Sequence, residues 1–170
     1  MTSHQIRFAE LSRTTMEALL ASDLATARAE SGVELGRLFI DEDSKWLWNY
    51  RLKQLESEPE AAAWIVRAVV AEPDGVVIGH AGYHGPPDDR GMVEVGYTVG
   101  PAYRRRGYAK AILAALLERA AAEPAVQVVR ASVSPDNVGS LATIAHFGFT
   151  QIGDQWDEED GLELLFERPA

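Results

Sequence analysis

The spacing of apolar positions changes character along the chain. "IRFAEL" (6–11) alternates as a short strand, and a helical stretch runs from Thr14 to about Ala21. Residues 22–43 give no clear period, because Gly32 and Gly36 interrupt what could be a helix. "SKWLWNYRLKQLES" (44–57) reads as a helix capped by Ser44, with Leu47, Tyr50, Leu52 and Leu55 on its apolar face. From residue 64 the period shortens. "WIVRAVVAE" (64–72) is rich in β-branched residues, "PDG" (73–75) is turn chemistry, and "VVIGHAGYH" (76–84) returns as the partner of a hairpin. "MVEVGYTV" (92–99) predicts a third strand of the same meander. Between 104 and 122 apolar residues fall at Ala109, Ile112, Leu113, Leu116, Leu117 and Ala120, the stripe of an amphipathic helix that Pro124 closes. "VQVVRASV" (126–133) then makes a strand–helix–strand unit, whose two strands are expected to be parallel neighbours. A helix over 137–147 is expected to bury Leu141, Ile144 and Ala145, and strands over 149–153 and 162–168 end the chain. The predicted fold class is α/β, with a mixed, mostly antiparallel sheet of about seven strands flanked by about four helices in one domain spanning 1–170.

Composition narrows the possibilities. A chain of 170 residues, 46% hydrophobic and 25% charged, has the make-up of an ordinary globular domain rather than a disordered one. It holds no run of eighteen apolar residues, so a membrane span is not expected. "MTSHQIRFAE" lacks the apolar region of a secretory leader, which points to the cytoplasm. The lack of cysteine excludes disulfides, thiolate zinc sites and a cysteine nucleophile, and the four histidines show no metal-ligand spacing, so no metal is expected. A net charge of −10 argues against nucleic acid as a partner and would draw in cationic molecules.

Against that charge, "YRRRGYAK" (103–110) gathers three arginines between a strand and a helix. The unpaired N–H groups and positive dipole end of a helix start attract anions. Gly107 lets a phosphate approach the backbone, Ala109 keeps the next face open, and arginine brings planar, many-donor charge. Three cations at a helix start oppose its dipole by about 0.3–1 kcal/mol each, so the cluster predicts an anion bound there. The phosphate-loop pattern G-x-x-x-x-G-K-[ST] and the dinucleotide pattern G-x-G-x-x-G are both absent.

Arg104-x-x-Gly107-x-Ala109 resembles the [RQ]-x-x-G-x-[GA] acyl-CoA loop of the GNAT N-acetyltransferase superfamily, and Asn137-x-x-Ser140 followed by "HFGF" (146–149) resembles its downstream element. Glu94-Val95-Gly96-Tyr97 is similar to the central strand of the subgroup that includes ribosomal-protein N-terminal acetyltransferases and many small-amine relatives. The resemblance implies acetyl-CoA as co-substrate, entering where the central strand parts from its parallel neighbour. Backbone groups of Tyr97, Thr98 and Val99 would meet the pantetheine arm, and Arg104 with the amides of Arg105, Arg106, Gly107, Tyr108, Ala109 and Lys110 would hold the pyrophosphate. Asn137 would bond the pantetheine chain and Ser140 would lie near the sulfur; read from the residues alone, Asn137 is equally a helix cap. The implied reaction is direct acetyl transfer, in a ternary complex, to a small amine or a peptide N-terminus. An acyl-CoA-binding module without catalysis is the alternative, and a homodimer follows from family habit.

The chemistry needs a neutral amine. At pH 7 a lysine-type amine is only about 0.04% neutral and a peptide α-amine roughly 14%, so a general base matters most for the first. Glu94 is one candidate, because a carboxylate among apolar strand residues is expensive unless it is paired, solvated or functional. Strand alternation sets it opposite Val93 and Val95, on what could be a solvent face. His84, at the end of the neighbouring strand, is the other candidate; His80 and His146 read as packing residues. The family's usual tyrosine acid, seven residues after the motif asparagine, is replaced by Ile144, which leaves Ser140 first, then Tyr97 or water, to protonate the leaving thiolate. The acidic stretch 154–160, with Trp156, reads as a loop at a solvated hairpin tip, and the resemblance implies the alternative that it borders the acceptor. Trp46, Trp48 and Tyr50 are further candidates for the acceptor wall, and their spacing of two sets them on different helix faces.

Overall fold

Strand propensity and amphipathic periodicity yield seven strands and five helices in a computed structural model that describes residues 4–170. Residues 1–3, part of the stretch read for a leader, lie outside the described residues. Strand β1 (Ile6–Glu10) is followed by helices α1 (Arg13–Leu20), α2 (Leu24–Ser31) and α3 (Glu42–Ser57). Strands β2 (Arg67–Ala71), β3 (Val76–Tyr83) and β4 (Met92–Val99) form the expected meander. Helix α4 (Tyr108–Ala122), β5 (Val128–Val133), α5 (Val138–His146), β6 (Thr150–Asp157) and β7 (Gly161–Pro169) complete the chain.

The strands lie in the order β1-β2-β3-β4-β5-β7-β6, and every neighbouring pair is antiparallel except β4 with β5. That parallel pair is short: Met92 to Glu94 match Val128 to Arg130, and beyond them the two strands part. β5 continues its pairing with β7 through Val133, so the opening faces β4 alone. This parting is what positions the site.

Each face of the sheet has its own core. Val93 and Val95 of β4 pack with Ile112, Leu113, Leu116, Leu117 and Ala120 of α4, the expected apolar stripe of that helix. α5 buries Ile144 in the same core together with Thr143, whereas Ala145, expected inside, is exposed, as is His146 beside Phe147. On the opposite face, α1, α3 and the 3₁₀ turn Arg37–Ile40 before α3 bury Leu19, Phe39, Trp48 and Leu52 against Ala68 and Val70 of β2.

Several boundaries differ from the sequence reading for identifiable reasons. α2 has no apolar stripe, since Ala27 is its single buried residue; Asp23 caps its start, and Gly32, read as an interruption, ends it in the left-handed conformation. α3 begins at Glu42 because Asp41, not Ser44, is its cap; Ser44 donates its amide to Asp41 and its hydroxyl to the Leu38 carbonyl. The chain over Pro59–Ala63 forms a 3₁₀ turn, which delays β2 to Arg67. β6 extends to Asp157, so the acidic stretch is half strand and half hairpin turn; as an exposed edge strand it carries charge that composition alone reads as loop.

His80 belongs to the second core, edge-on to Phe39 and Trp48 and 7% exposed. Burial drives its pKa from 6.5 down to about 4, with Asp41 opposing weakly. The unfolded chain therefore binds a proton between about pH 6.5 and 4 that the folded chain refuses, so this residue's contribution to stability is lost as pH falls through that window. A non-titrating His80→Leu protein is expected to lack that loss, shifting the stability difference between the two proteins by about 3 kcal/mol from pH 7 to pH 4 in urea titrations.

Candidate active site

Two cavities open on either side of β4. One, of about 660 Å³, is lined by Tyr97, Thr98, Val99, Tyr103, Arg104 and Arg105, by Gly107 to Lys110, and by Asn137, Gly139, Ser140 and Thr143. The second, of about 720 Å³, lies between α3, the ends of β3 and β4, and the β6–β7 hairpin. Tyr97 and Thr98 line both. Nearly all residues that the sequence assigned to the co-substrate thus share one cavity, and Arg106 is the exception.

The loop leading into α4 owes its shape to two left-handed residues, Arg105 (φ 60°) and Gly107 (φ 89°). These conformations hold the helix back to Tyr108, so the arginines precede it rather than occupying its first turn, as the sequence had suggested. The penalty of cations against the helix dipole is correspondingly smaller than the sequence reading supposed. Arg104 turns back so that its Nε donates to the Val99 carbonyl at 3.0 Å. The Arg106 carbonyl contacts His4 Nε2, and the His4 ring lies against Tyr108, tilted by 33° with centroids 4.3 Å apart. Sequence reasoning gave no signal for His4.

β4 presents its backbone to the opening on alternate residues. His84 N–H donates to Glu94 O, and Gly100 N–H to Ile78 O, so Glu94, Gly96 and Thr98 spend their backbone groups on β3. Val95, Tyr97 and Val99 turn theirs toward the opened edge. This corrects the expectation for Thr98, which contributes to the cavity walls but not through a free backbone. Asn137 caps α5 through Oδ1, which accepts from the Ser140 amide at 3.1 Å. Cap and cavity wall are thus the same residue, and the Asn137 amide nitrogen remains to meet a ligand. Tyr97 Oη is buried beside the Ser140 and Thr143 hydroxyls without a well-formed hydrogen bond, and burial raises its pKa above the usual 10. Ile144, which stands at the position of the family's tyrosine, is buried in the core.

Glu94 and His84, weighed as rivals in the sequence, lie together. Glu94 does face away from Val93 and Val95, with no irregularity in the β3–β4 register, but α3 and the β6–β7 hairpin cover that face. Its side chain is 19% exposed, not solvated as simple alternation allowed. Glu94 Oε1 accepts from Ser132 Oγ at 2.6 Å and lies 3.6 Å from His84 Nδ1, close enough for charge and long for a hydrogen bond. The backbone carbonyl of His84 accepts from Arg51 at 2.8 Å and from Gln54 at 2.9 Å, which fixes the end of β3. The His84 ring reaches the cavity and is half exposed through its mouth. Its crowded walls push the pKa below 6.5, Glu94 works in the opposite direction, and Arg51 adds to the lowering. A neutral imidazole beside a carboxylate is an arrangement that can accept a proton from a nucleophile.

Gly96 makes this possible, since a Cβ there would stand 2.9 Å from His84 Nε2. Because the ring can move, Gly96→Ala is expected to change stability by less than about 1 kcal/mol yet lower kcat by about tenfold or more, with acetyl-CoA affinity unchanged. Comparing the urea midpoint with the turnover rate checks it.

The rest of the second cavity mixes expected and unexpected residues. Trp46 and Tyr50, four apart on α3, stack at 5.4 Å and are about half exposed, whereas Trp48 is fully buried with Nε1 donating to the Phe39 carbonyl. Trp156 stands 76% exposed on the hairpin. Glu163, missed in the sequence, lines both this cavity and the opening between β4 and β5. Burial and the charges of Asp160, Asp157 and Glu94 raise its pKa, a hydrogen bond from Gln155 opposing. The signal was available: Glu163 stands among the apolar residues of "LELLF" as Glu94 does in "MVEVGY". Among the described residues no group of three or more histidines or carboxylates is placed to hold a metal ion, and no helix is long and apolar enough to cross a membrane.

YjdG, an uncharacterized N-acetyltransferase of Bacillus subtilis, is 31% identical over 87 residues, a match spanning about half of this chain and half of that relative. Ribosomal-protein-S5-alanine acetyltransferase from Vibrio fischeri shares the fold at a TM-score of 0.65 and 16% identity, covering 99% of this chain and 94% of that one. RimJ of Mycobacterium smegmatis, solved in complex with CoA-disulfide, does so at 0.64 and 21%, covering 97% and 82%. The acetyltransferase (GNAT) domain model matches residues 10–150, and the chain belongs to the GNAT acetyltransferase family.

Proposed function

We propose that the protein transfers the acetyl group of acetyl-CoA to a primary amine, with His84 as the base. The observation that carries this reading is the shared wall: Tyr97 and Thr98 separate a cavity ending in the arginine loop from one holding His84 and Glu94. Acetyl-CoA supplies the acetyl group as a thioester. The left-handed Arg105 and Gly107 shape a loop whose backbone amides, with the Arg104 and Arg105 side chains, suit a pyrophosphate. Backbone groups of Tyr97, the Val99 N–H and the Asn137 amide nitrogen suit the amide-bearing arm that follows. His84 takes the proton of the attacking nitrogen, and Glu94, held by Ser132, stabilises the imidazolium that results. Ser140, part-buried next to Tyr97 Oη, would return a proton to the sulfur, whose ordinary pKa near 8.5 already makes it a fair leaving group. In this reading the protein is cytoplasmic and stands near the ribosomal-protein N-terminal acetyltransferases and their small-amine relatives.

The test is thiol release from acetyl-CoA by the purified chain against a panel of small amines and peptide N-termini, alongside calorimetric titration of acetyl-CoA. Turnover dependent on an added amine is expected. Binding without turnover of any amine would instead favour the silent binding module.

A further inference from the structure

The loop that leads into α4 is tied down in two different ways. Its first half is tied locally: Arg104 Nε donates to the Val99 carbonyl, and the Tyr103 amide donates to the Gly100 carbonyl. Its second half is tied by a residue 102 positions away along the chain. His4, just ahead of β1, brings Nε2 against the Arg106 carbonyl, which has no other hydrogen-bond partner among the described residues. The His4 ring lies against Tyr108, whose own ring meets Tyr103 edge-on, so one aromatic row spans both ends of the loop. His4 also covers Gly107 on the side where a side chain would stand, since a Cβ there would lie 3.4 Å from its Cδ2. It lies outside residues 10–150, the part that the family model matches.

The hold on that carbonyl has a consequence on the far side of the peptide. The Arg106–Gly107 bond is trans, so its C=O and its N–H point in opposite directions. With the carbonyl kept toward His4, the Gly107 N–H is turned away from it. That N–H donates to nothing among the described residues, and Gly107 lines the 660 Å³ cavity, whereas Arg106 and His4 do not. Resting on the reading of that cavity as the acetyl-CoA site, we propose that His4 is a positioning residue for the co-substrate, which fixes the Gly107 N–H as a donor to the pyrophosphate. A loop amide serves an anion best when it is aimed before the anion arrives, because ordering it afterwards subtracts from affinity. This loop needs an outside hold, since the left-handed Arg105 is strained and persists only where its surroundings enforce it. The carbonyl can only accept, so the working tautomer of His4 carries its hydrogen on Nε2. His4 lines neither cavity, so it acts on capture of the co-substrate and not on transfer.

The experiment compares the wild type with His4→Phe, which keeps a ring against Tyr108 but has no N–H, and with His4→Gln, which keeps an N–H donor. Calorimetric titration is expected to show acetyl-CoA affinity about five- to tenfold weaker in His4→Phe and largely restored in His4→Gln, with the urea midpoint unchanged in both. KM for acetyl-CoA is expected to rise in His4→Phe while kcat at saturating acetyl-CoA stays at the wild-type value. S-acetylpantetheine carries the thioester and its arm but no pyrophosphate, so it is expected to react equally well with the wild type and His4→Phe. Wild-type affinity in His4→Phe overturns the inference while leaving acetyl-CoA binding intact. So does an equal loss toward both acetyl donors, which would mean a general distortion of the fold. A wild type that does not bind acetyl-CoA would instead overturn the reading of the cavity, and this inference with it.

Discussion

Gly107→Val is expected to weaken acetyl-CoA binding by about 10²-fold or more in calorimetric titration. At φ 89° a β-branched residue is strained, and relief of that strain must rotate the peptide groups on either side. Those are the groups read as pyrophosphate donors, and charge-assisted hydrogen bonds contribute about 1.5–3 kcal/mol each, so losing two suffices. The effect on folding is expected to be smaller, because the loop is exposed and contributes little to either core. Arg106→Ala is the internal comparison. Its side chain lies outside the cavity lining, so it should weaken binding far less than Arg105→Ala. Equal losses for the two arginines would mean that the loop acts as diffuse charge rather than as a shaped site.

The second large effect is expected from Glu94→Gln, with kcat falling about 10²-fold while acetyl-CoA affinity stays unchanged. The pH dependence separates its two possible roles. Glu94 raises the pKa of His84, so removing its charge should move the acid limb of kcat, expressed per neutral amine, to lower pH. The base is then weaker but still present. If Glu94 were itself the base, the limb would vanish with it, and His84→Gln would retain most of the rate. The sign is fixed by geometry: the carboxylate lies 3.6 Å from Nδ1, whereas Arg51 acts on His84 in the opposite sense.

How much of this was legible in the sequence depends on what kind of signal each part carries. The meander and α4 could be read because their apolar residues repeat at the period of the element, and those residues are the ones buried. α2 could not, since a helix that buries only Ala27 leaves no stripe to detect. The second half of β6, from Asp154, was taken for loop because an edge strand needs no apolar face, and its charges read as turn composition. In the site, the arginine loop was legible as a local motif, but its left-handed Arg105 and the outward placement of Arg106 were not. Glu94 and His84 were each found for separate chemical reasons. Their pairing depends on the β3–β4 register and on Gly96, which no spacing along the chain reveals. Arg51, Gln54 and Ser132 went unnoticed for the same reason, because they act across elements and only the assembled sheet brings them to His84 and Glu94.

The shared wall of the two cavities makes a kinetic claim: amine and acetyl-CoA must be bound together for transfer to occur. The most direct measurement is the initial-velocity pattern with both substrates varied, using an amine that is turned over. Lines that intersect in double-reciprocal form are expected if, as proposed, the acetyl group passes across Tyr97 and Thr98 within a ternary complex. Parallel lines would mean that the chain carries the acetyl group covalently between two separate encounters, and would contradict direct transfer.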